Sequence, residues 1–434
     1  MLSRSAIRDR NRVIYGVMRL IALSAVLALA SGAVAQDTSW VITNAKIEVG
    51  NGQVINDTSL VIDQGRIVAI GGDLTKFSFP KIDGTGLVVY PGFIDAFTRS
   101  GLKLPDQPAT PVAPAFPSTI SGMFWHGNRR GVFADLDAEK LLDPASFSKD
   151  YYSNGVTTIH AASARGSFGG WSVITDLVAD GLKVGQVMQT LSFAGGGGGF
   201  GGGGGGGAGA TAPAYPTSLM GRIAVMRQVL WDAKNPGDDS VLKALSPAVQ
   251  GAKPALFSAN TERECFRAFR LSRETGLRPV LLGGREAWRS LEDLAGTDVV
   301  VSLDPGFEPT VDPTAASETP LEVRQDRRAA WLAEANYVDR LAKGKVRFAF
   351  SADREADKLL ELVRKHIGWG LDRNTALRAL TIDAASILGI QDKVGTIEVG
   401  KRANLAIMTG DFADPKTVVK FVIIGGKRIE VSPK

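Results

Sequence analysis

Short apolar stretches alternate with segments of helical periodicity through the second half of the chain. Strands are predicted at 254–258, 278–282, 298–303 and 346–350. Helices are predicted at 261–275, 286–294, 327–341 and 356–367. Four strand–helix units in succession indicate parallel strands joined by crossover helices. With further units implied upstream, the predicted fold class is α/β, with a (β/α)8 TIM-type barrel over residues 91–392.

Both ends of the chain outside this barrel carry β patterns instead. The N-terminal strands are predicted at 41–47, at 84–90 and, as a hairpin, within 60–70. The C-terminal strands are predicted at 396–399, at 404–408 and, as a hairpin around two glycines, within 419–431. Two β segments at opposite ends of a chain can pair, so residues 36–90 and 393–434 are predicted to form a composite β-sandwich domain. The alternative, an open doubly wound sheet, would leave this split unexplained.

The clearest local signals frame the first helix of the second half. Thr261 is followed three residues later by Glu264, which is the spacing of a capping box at a helix N-terminus. Gly276 follows the last periodic residue and predicts the C-terminal stop. Cys265 lies on this helix and is predicted to be a core residue. It is the single cysteine of the chain, so it cannot form an internal disulfide.

Three stretches are predicted to be loops. Residues 101–150 are rich in proline and then in aromatic residues, and are predicted to cover the barrel mouth with a few short helices. A strand at 156–160 precedes a glycine-rich turn that is predicted to be tight and exposed. The glycines of that turn are Gly166, Gly169 and Gly170. Residues 195–207 are glycine apart from one phenylalanine, which predicts a disordered surface loop. The alternative, a phosphate cradle, would need a Lys-Ser/Thr ending that is not there.

Residues 1–35 have the pattern of a secretory signal peptide. Five arginines precede a short apolar run, and Ala33-Val34-Ala35 forms an A-x-A cleavage site before Gln36. The protein is therefore predicted to be exported, to the periplasm or the extracellular space, with no membrane attachment after cleavage. The alternative is an uncleaved anchor, for which the apolar run is short. Because this segment carries much of the formal charge of +5, the mature chain is close to neutral and no nucleic-acid partner is expected.

The stretch at 88–99, Val-Val-Tyr-Pro-Gly-Phe-Ile-Asp-Ala-Phe-Thr-Arg, carries a family resemblance. It resembles the first barrel strand of the amidohydrolase superfamily, where a "PGxIDxHxH" run supplies two metal-binding histidines. The run "VGTIEVGKRANLAIM" resembles the closing strand motif of that family, and residues 254–284 have the rhythm of its imidazolonepropionase-like branch. The resemblance extends over about residues 40–432.

The resemblance implies a hydrolase of non-peptide C–N bonds, and also shows where this chain departs from it. Active members use about four histidines and an aspartate to hold one or two divalent metals, commonly zinc, which activate water. Here Phe97 and Arg99 occupy the two first-strand histidine positions. Ser258 stands at a third, Gly283 lies near a fourth, and only Asp353, in the run "FSAD", matches the family. The metal site is therefore predicted to be degenerate, with no metal ligands assigned.

The remaining candidates are few, since the chain has three histidines. His126 is interpreted as a loop residue and His366 as a surface or helix-face residue. His160 ends a predicted strand and is the best pocket candidate, with a buried structural role as the alternative. Asp353 is the predicted catalytic base. Arg99 and His160 are predicted to bind substrate, although Arg99 could instead form an ion pair with Asp353 across the barrel mouth.

Two functions follow as hypotheses. The first is hydrolysis of a small cyclic amide or dipeptide-like molecule by a metal-free or weakly metal-dependent site. The second is a catalytically inactive protein that binds a small molecule or pairs with an active relative. The expected partners are a small-molecule ligand and either a second copy of this chain or a related amidohydrolase.

Overall fold

The computed structural model describes residues 38–105, 131–194, 218–303, 311, 313–314, 319–353 and 355–431. The predicted signal peptide, the glycine tract at 195–207 and His126 lie outside these residues. The described strands are β1 (Trp40–Glu48), β2 (Val54–Asp63), β3 (Arg66–Ile70), β4 (Lys81–Asp83), β5 (Val88–Pro91), β6 (Phe93–Thr98), β7 (Val156–Ala161), β8 (Phe168–Trp171), β9 (Val173–Asp176), β10 (Lys183–Val184), β11 (Gln189–Ser192), β12 (Pro254–Ala259), β13 (Arg278–Gly283), β14 (Asp298–Ser302), β15 (Phe348–Ser351), β16 (Leu405–Met408), β17 (Val419–Ile424) and β18 (Lys427–Glu430).

The helices lie mainly between the later strands. They are α1 (Ala138–Leu141), α2 (Asp150–Ser153), α3 (Leu219–Asp232), α4 (Ser240–Val249), α5 (Glu262–Thr275), α6 (Leu321–Ala335), α7 (Tyr337–Lys343), α8 (Leu359–Gly368), α9 (Arg373–Leu380) and α10 (Ile382–Leu388), with short 3-10 turns at Leu74–Lys76, Pro144–Ser146 and Ala287–Ser290. None of the helices in the described part of the chain is long and apolar enough to cross a membrane.

The two ends of the chain meet in one sheet. Its strand order is β18-β17-β16-β5-β1-β2-β3, with β4 also paired to β1. The link between the ends is the antiparallel pair β16–β5, in which Leu405 lies opposite Pro91 and Met408 opposite Val88. The predicted pairing of the end segments is confirmed, whereas a sandwich remains a prediction because a single sheet is described here. The predicted strand at 396–399 is wrong: Ile397 donates one backbone hydrogen bond to Val49 but belongs to no strand.

The central strands form two further sheets, with orders β10-β9-β7-β6 and β15-β14-β13-β12-β11-β8. Strands β11 to β15 pair in parallel, as do β6 and β7. By contrast, β9 is antiparallel to β7, and β8 is antiparallel to β11. The second half thus has the predicted parallel pattern. Before it, strands β8 to β10 pair with their neighbours in antiparallel fashion. The described fold is α/β with mixed sheets.

Burial on both faces explains why the central residues of the parallel strands are mainly apolar. Leu281 and Val299 pack in a cluster that includes Cys265 and Phe269 of α5, whereas Val280 and Val300 pack in a second cluster with Ile94 and Phe97. Successive residues of a strand point to opposite faces, so each strand supplies both clusters.

The helix predictions are confirmed where capping signals exist. Thr261 and Glu264 form the capping box of α5, and Gly276, at φ +88°, ends it. The single helix predicted at 327–341 is instead two helices, α6 and α7, that meet at Asn336. The helix predicted at 286–294 is wrong, because only the 3-10 turn Ala287–Ser290 forms there.

The exposed loop predicted around Gly166, Gly169 and Gly170 is also wrong. Gly169 and Gly170 lie in β8 and are buried. A Cβ at Gly169 would lie 2.5 Å from the Ser163 carbonyl oxygen, and Gly170 has φ +93°. The glycines are therefore explained by close backbone packing rather than by exposure.

Candidate functional site

Strand β6 directs two of the predicted positions into one cavity. Phe97 and Arg99 lie at its end, and both line a cavity of about 160 Å³. Ser258, at the end of β12, lines the same cavity. The structure therefore brings together three of the positions at which the family resemblance implies metal ligands.

Arg99 pairs with Asp353, the residue that follows the end of β15 by two positions. Arg99 Nε donates to Asp353 Oδ1 at 2.6 Å, and Arg99 Nη2 donates to Asp353 Oδ2. The side chains are 16% and 19% exposed, so the pair is largely shielded from water. This bidentate geometry is the strongest that a guanidinium and a carboxylate make. The ion pair that the sequence offered as the alternative role of Arg99 is therefore present.

Hydrogen bonds to residues at the ends of β6 and β15 fix the backbone around Asp353. Asp353 has φ +50°, a left-handed conformation that is uncommon for a residue with a side chain. Its amide donates to Ser351 Oγ at 3.1 Å, and its carbonyl accepts from Thr98 Oγ1 at 2.5 Å. Ser351 Oγ in turn donates to the Phe97 carbonyl at 2.7 Å. The ends of β6 and β15 are thereby joined directly beneath the ion pair.

Asp95 is a buried carboxyl group beneath this junction that the sequence reasoning did not single out. It is fully buried, and desolvation raises its pKa to about 8. Asp95 Oδ1 accepts from the amides of Phe97 (3.3 Å) and Ala352 (3.1 Å), and Tyr151 Oη lies 3.3 Å from Asp95 Oδ2.

Tyr151 connects Asp95 to the hydrogen bonds around Asp353. Tyr151 Oη lies 2.9 Å from Thr98 Oγ1, and Thr98 Oγ1 donates to the Asp353 carbonyl. The Tyr151 hydroxyl is the donor toward both Thr98 Oγ1 and Asp95 Oδ2, so it shares its one proton between them. The sequence signal for a buried carboxyl group is that Asp95 lies inside the otherwise mainly apolar strand β6.

The remainder of the cavity wall is rich in neutral hydrogen-bonding groups. They come from Ser163, Thr190, Ser192, Ser258 and Asn260. Glu264 also lines the cavity, but its Oε2 accepts from the amides of Asn260 and Thr261 as part of the capping box. The cavity can thus offer hydroxyl and amide groups to a small polar molecule.

His160 is not among the residues that line the cavity. It is fully buried in β7, and its Nδ1 lies 2.8 Å from the Ala96 carbonyl oxygen. Burial lowers its pKa to about 4, so the ring is neutral near pH 7 and Nδ1 carries the proton donated to Ala96. Its Nε2 is buried without a hydrogen-bond partner in the described residues. This geometry matches the structural alternative more closely than the pocket role.

The two other single-residue predictions differ in outcome. His366 is on the buried face of α8 rather than at the surface, with Nε2 3.0 Å from the Leu303 carbonyl and its ring edge-on to Tyr337. Burial lowers its pKa to about 4. Cys265 is in the core as predicted, and burial raises its pKa to about 12.

The residues at the positions where the family resemblance implies ligands do not fit a divalent metal. Phe97 has no donor atom, and Arg99 would place a positive charge against a cation. Gly283 has φ +109°, and a Cβ there would lie 2.3 Å from Asn260 Oδ1. Within the described residues there is no group of three or more His, Cys, Asp or Glu side chains that could hold a metal ion. Three protein ligands are the usual minimum for a catalytic zinc.

Comparison with known proteins places the fold. Residues 338–429, about a fifth of the chain, match the sequence profile of the amidohydrolase family. No protein of curated function matches the sequence significantly. The structure of an amidohydrolase from Thermotoga maritima is similar with a TM-score of 0.67 and 20% identity, over 90% of this chain and 99% of that one.

Two dipeptidase-type structures are also similar. A Xaa-Pro dipeptidase with bound methionine in its active site matches with a TM-score of 0.53 and 16% identity, over 91% of this chain and 100% of that one. A prolidase complexed with N-methylphosphonate-L-proline matches with a TM-score of 0.52, 16% identity and the same coverage. At these identities the likeness is one of fold. The described part of the chain thus has the fold of amidohydrolase-type structures, and its C-terminal region matches the amidohydrolase family in sequence.

Proposed function

We propose that this chain is a divergent member of the amidohydrolase superfamily that binds a small amide- or carboxylate-bearing molecule without metal-assisted hydrolysis. The observation that carries the proposal is the bidentate Arg99–Asp353 pair. It places a guanidinium at a position where the family resemblance implies a metal ligand. The pair also engages both carboxylate oxygens of Asp353, the one residue that matches the family's ligand set.

The cavity chemistry supports a small, polar ligand. At about 160 Å³ it is smaller than the ~300–1,000 Å³ typical of sites for drug-sized ligands. Its hydroxyl and amide groups can pair with both the carbonyl oxygen and the N–H of an amide. Phe97, Leu256 and Leu282 supply an apolar wall for an aliphatic or ring portion. A single amino acid, a cyclic amide or a comparably small acid matches these features.

The second candidate is hydrolysis of C–N bonds, with Asp353 as general base and Arg99 holding the substrate. It is favoured by the survival of Asp353 at the strand end and by the likeness in fold to structures named as hydrolases. A general base needs an oxygen within hydrogen-bond reach of the water it activates. Arg99 would therefore have to release Asp353 when substrate binds. The expected role of His160 in substrate binding belongs to this candidate as well.

Further features of the family resemblance enter this proposal. Proximity of the β6 and β15 ends, joined through Ser351 and Phe97, supports a closed barrel. In that arrangement β8 and β9, which run antiparallel to their neighbours, fill the eighth strand position. We also propose that the chain is related to the imidazolonepropionase-like branch and that it is exported through the N-terminal signal. We further propose that it associates with a second copy or with a related amidohydrolase.

Calorimetric titration with single amino acids, cyclic amides and proline-containing dipeptides, together with a hydrolysis screen on the same compounds, tests the proposal. We expect saturable binding of at least one compound and no turnover above that of a Ser258→Trp variant, whose large side chain fills the cavity. The same binding by wild type and Ser258→Trp would contradict the cavity assignment. Turnover that Asp353→Asn abolishes would establish the second candidate instead.

A further inference from the structure

A second concave surface is lined by residues other than those that line the Arg99 cavity. It is a groove of about 1200 Å³ between α3, α5 and the turn that follows β13. We call it the arginine groove. Five arginines line it, against three carboxylates. These arginines are Arg227, Arg263, Arg267, Arg270 and Arg289.

Two of the five arginines are not neutralised within the described part of the chain. Arg227 and Arg270 share Glu274, and Arg289 pairs with Glu334. Arg263 and Arg267 form no ion pair with any described residue. They are four residues apart on α5, and Arg270 continues the same stripe. Like charges at this spacing repel and weaken an isolated helix, so this arrangement is stabilised when an anionic group lies between them.

The floor of the arginine groove is apolar. Phe266 and Leu291 line it and are 49% and 39% exposed. Trp288 forms part of the wall, with the Arg289 and Arg340 guanidinium carbons 4.6 and 3.9 Å from its ring centroid. Exposed aromatic and aliphatic side chains rimmed by charge are typical of protein interaction sites. Arginine and tryptophan are also the residue types enriched at binding hot spots.

From this combination we infer that the arginine groove binds an acidic amphipathic segment of a partner protein. Charge complementarity selects glutamates or aspartates facing Arg263 and Arg267. The apolar floor selects leucine-like or aromatic side chains, which an inorganic anion or a nucleic-acid backbone would not supply. A partner helix with acidic residues on one face and apolar residues on the next has both features. The inference is independent of what the Arg99 cavity binds.

Fluorescence anisotropy with a synthetic probe tests the inference on the full mature chain. The probe is a fluorescein-labelled helix-forming peptide with glutamates on one face and leucines on the other. We expect saturable binding that weakens at least about tenfold in Arg263→Glu/Arg267→Glu, because attraction becomes repulsion. Phe266→Ala should weaken binding several-fold. The control Arg327→Glu/Arg328→Glu, with the same change in net charge on the exposed helix α6, should leave affinity within about twofold.

Several outcomes would overturn the inference. One is no binding by the wild-type chain, or equal binding by Arg263→Glu/Arg267→Glu. Another is equal binding of a peptide in which glutamine replaces every glutamate, which would remove the role of charge. Equal binding of polyglutamate or of a single-stranded oligonucleotide would indicate a generic anion surface. A wild-type dimer in sedimentation that Arg263→Glu/Arg267→Glu dissociates would make a second copy the partner. Circular dichroism of each variant excludes loss of fold as the cause.

Discussion

The Arg99–Asp353 pair makes a quantitative prediction about stability. Arg99→Ala removes the guanidinium that pairs with the Asp353 carboxylate, and Asp353→Asn removes the charge while keeping a residue that tolerates φ +50°. Exposed ion pairs contribute about 0–1 kcal/mol, whereas breaking a fully buried pair costs about 3–5 kcal/mol. With side chains 16% and 19% exposed, this pair lies between those limits, and we expect a coupling free energy of about 2 kcal/mol.

A double-mutant cycle isolates that coupling from the packing lost with each side chain. The free energy of unfolding is measured by urea titration, with tryptophan fluorescence as the probe, for wild type, both single variants and the double variant. The matched control is the Arg347–Asp298 pair, which has the same two-bond geometry at 2.7 Å but exposures of 50% and 18%. We expect a coupling of about 1 kcal/mol or less there. A coupling at Arg99–Asp353 no larger than at the control would refute the reasoning.

Three further predictions concern other parts of the chain. Asp95 has a raised pKa, so the folded state holds a proton that the unfolded state loses near pH 4, and stability falls as pH rises from about 4 to about 8. Asp95→Asn, which keeps an acceptor for the Tyr151 hydroxyl, should abolish that slope, giving a stability gain over wild type that grows by about 3–4 kcal/mol from pH 5 to pH 8; a constant difference would show that Asp95 is ionised when folded. Mass spectrometry of protein from the native envelope should find Gln36 as the first residue, and an intact Met1 would rule out cleavage. Replacing residues 195–207 with a short Gly-Ser linker should change the free energy of unfolding by about 1 kcal/mol or less, whereas failure to fold would mean that the tract is packed.

The parts of the fold that sequence predicts well are those fixed by local chemistry. The capping box at Thr261 and Glu264 needs only residues within one turn, and Gly276 stops the helix through its own backbone freedom. The hairpin at Gly425–Gly426 is equally local. These predictions did not depend on knowing what else packs nearby.

The predictions that failed depend on distant partners. Gly169 and Gly170 resemble a loop in sequence, but Ser163 and Leu136 approach too closely for a side chain at those positions. The segment 286–294 has helical periodicity, yet only one 3-10 turn forms. Tertiary packing overrides weak local preference in both cases.

The candidate site was partly predictable for a topological reason. Arg99 and Asp353 each follow a strand end, and in the barrel that the sequence predicts the C-terminal ends of the strands face the same side. Their pairing could therefore be anticipated from the sequence. The position of His160 outside the cavity could not, because the direction of one side chain in a buried strand depends on register. The arginine groove was missed because its floor is built from separate segments, with Phe266 on α5 and Leu291 beyond β13.

Metal content tests the central claim most directly, because the claim is that the site is held by an ion pair rather than by a divalent ion. The measurement is zinc per chain by elemental mass spectrometry, after the purified mature protein has been incubated with zinc and dialysed. We predict far less than one zinc per chain, unchanged in Asp353→Ala, since Phe97, Arg99, Ser258 and Gly283 supply no ligand set. Near-stoichiometric zinc that survives dialysis and is lost in Asp353→Ala would contradict the account and identify an ordinary metal-dependent site.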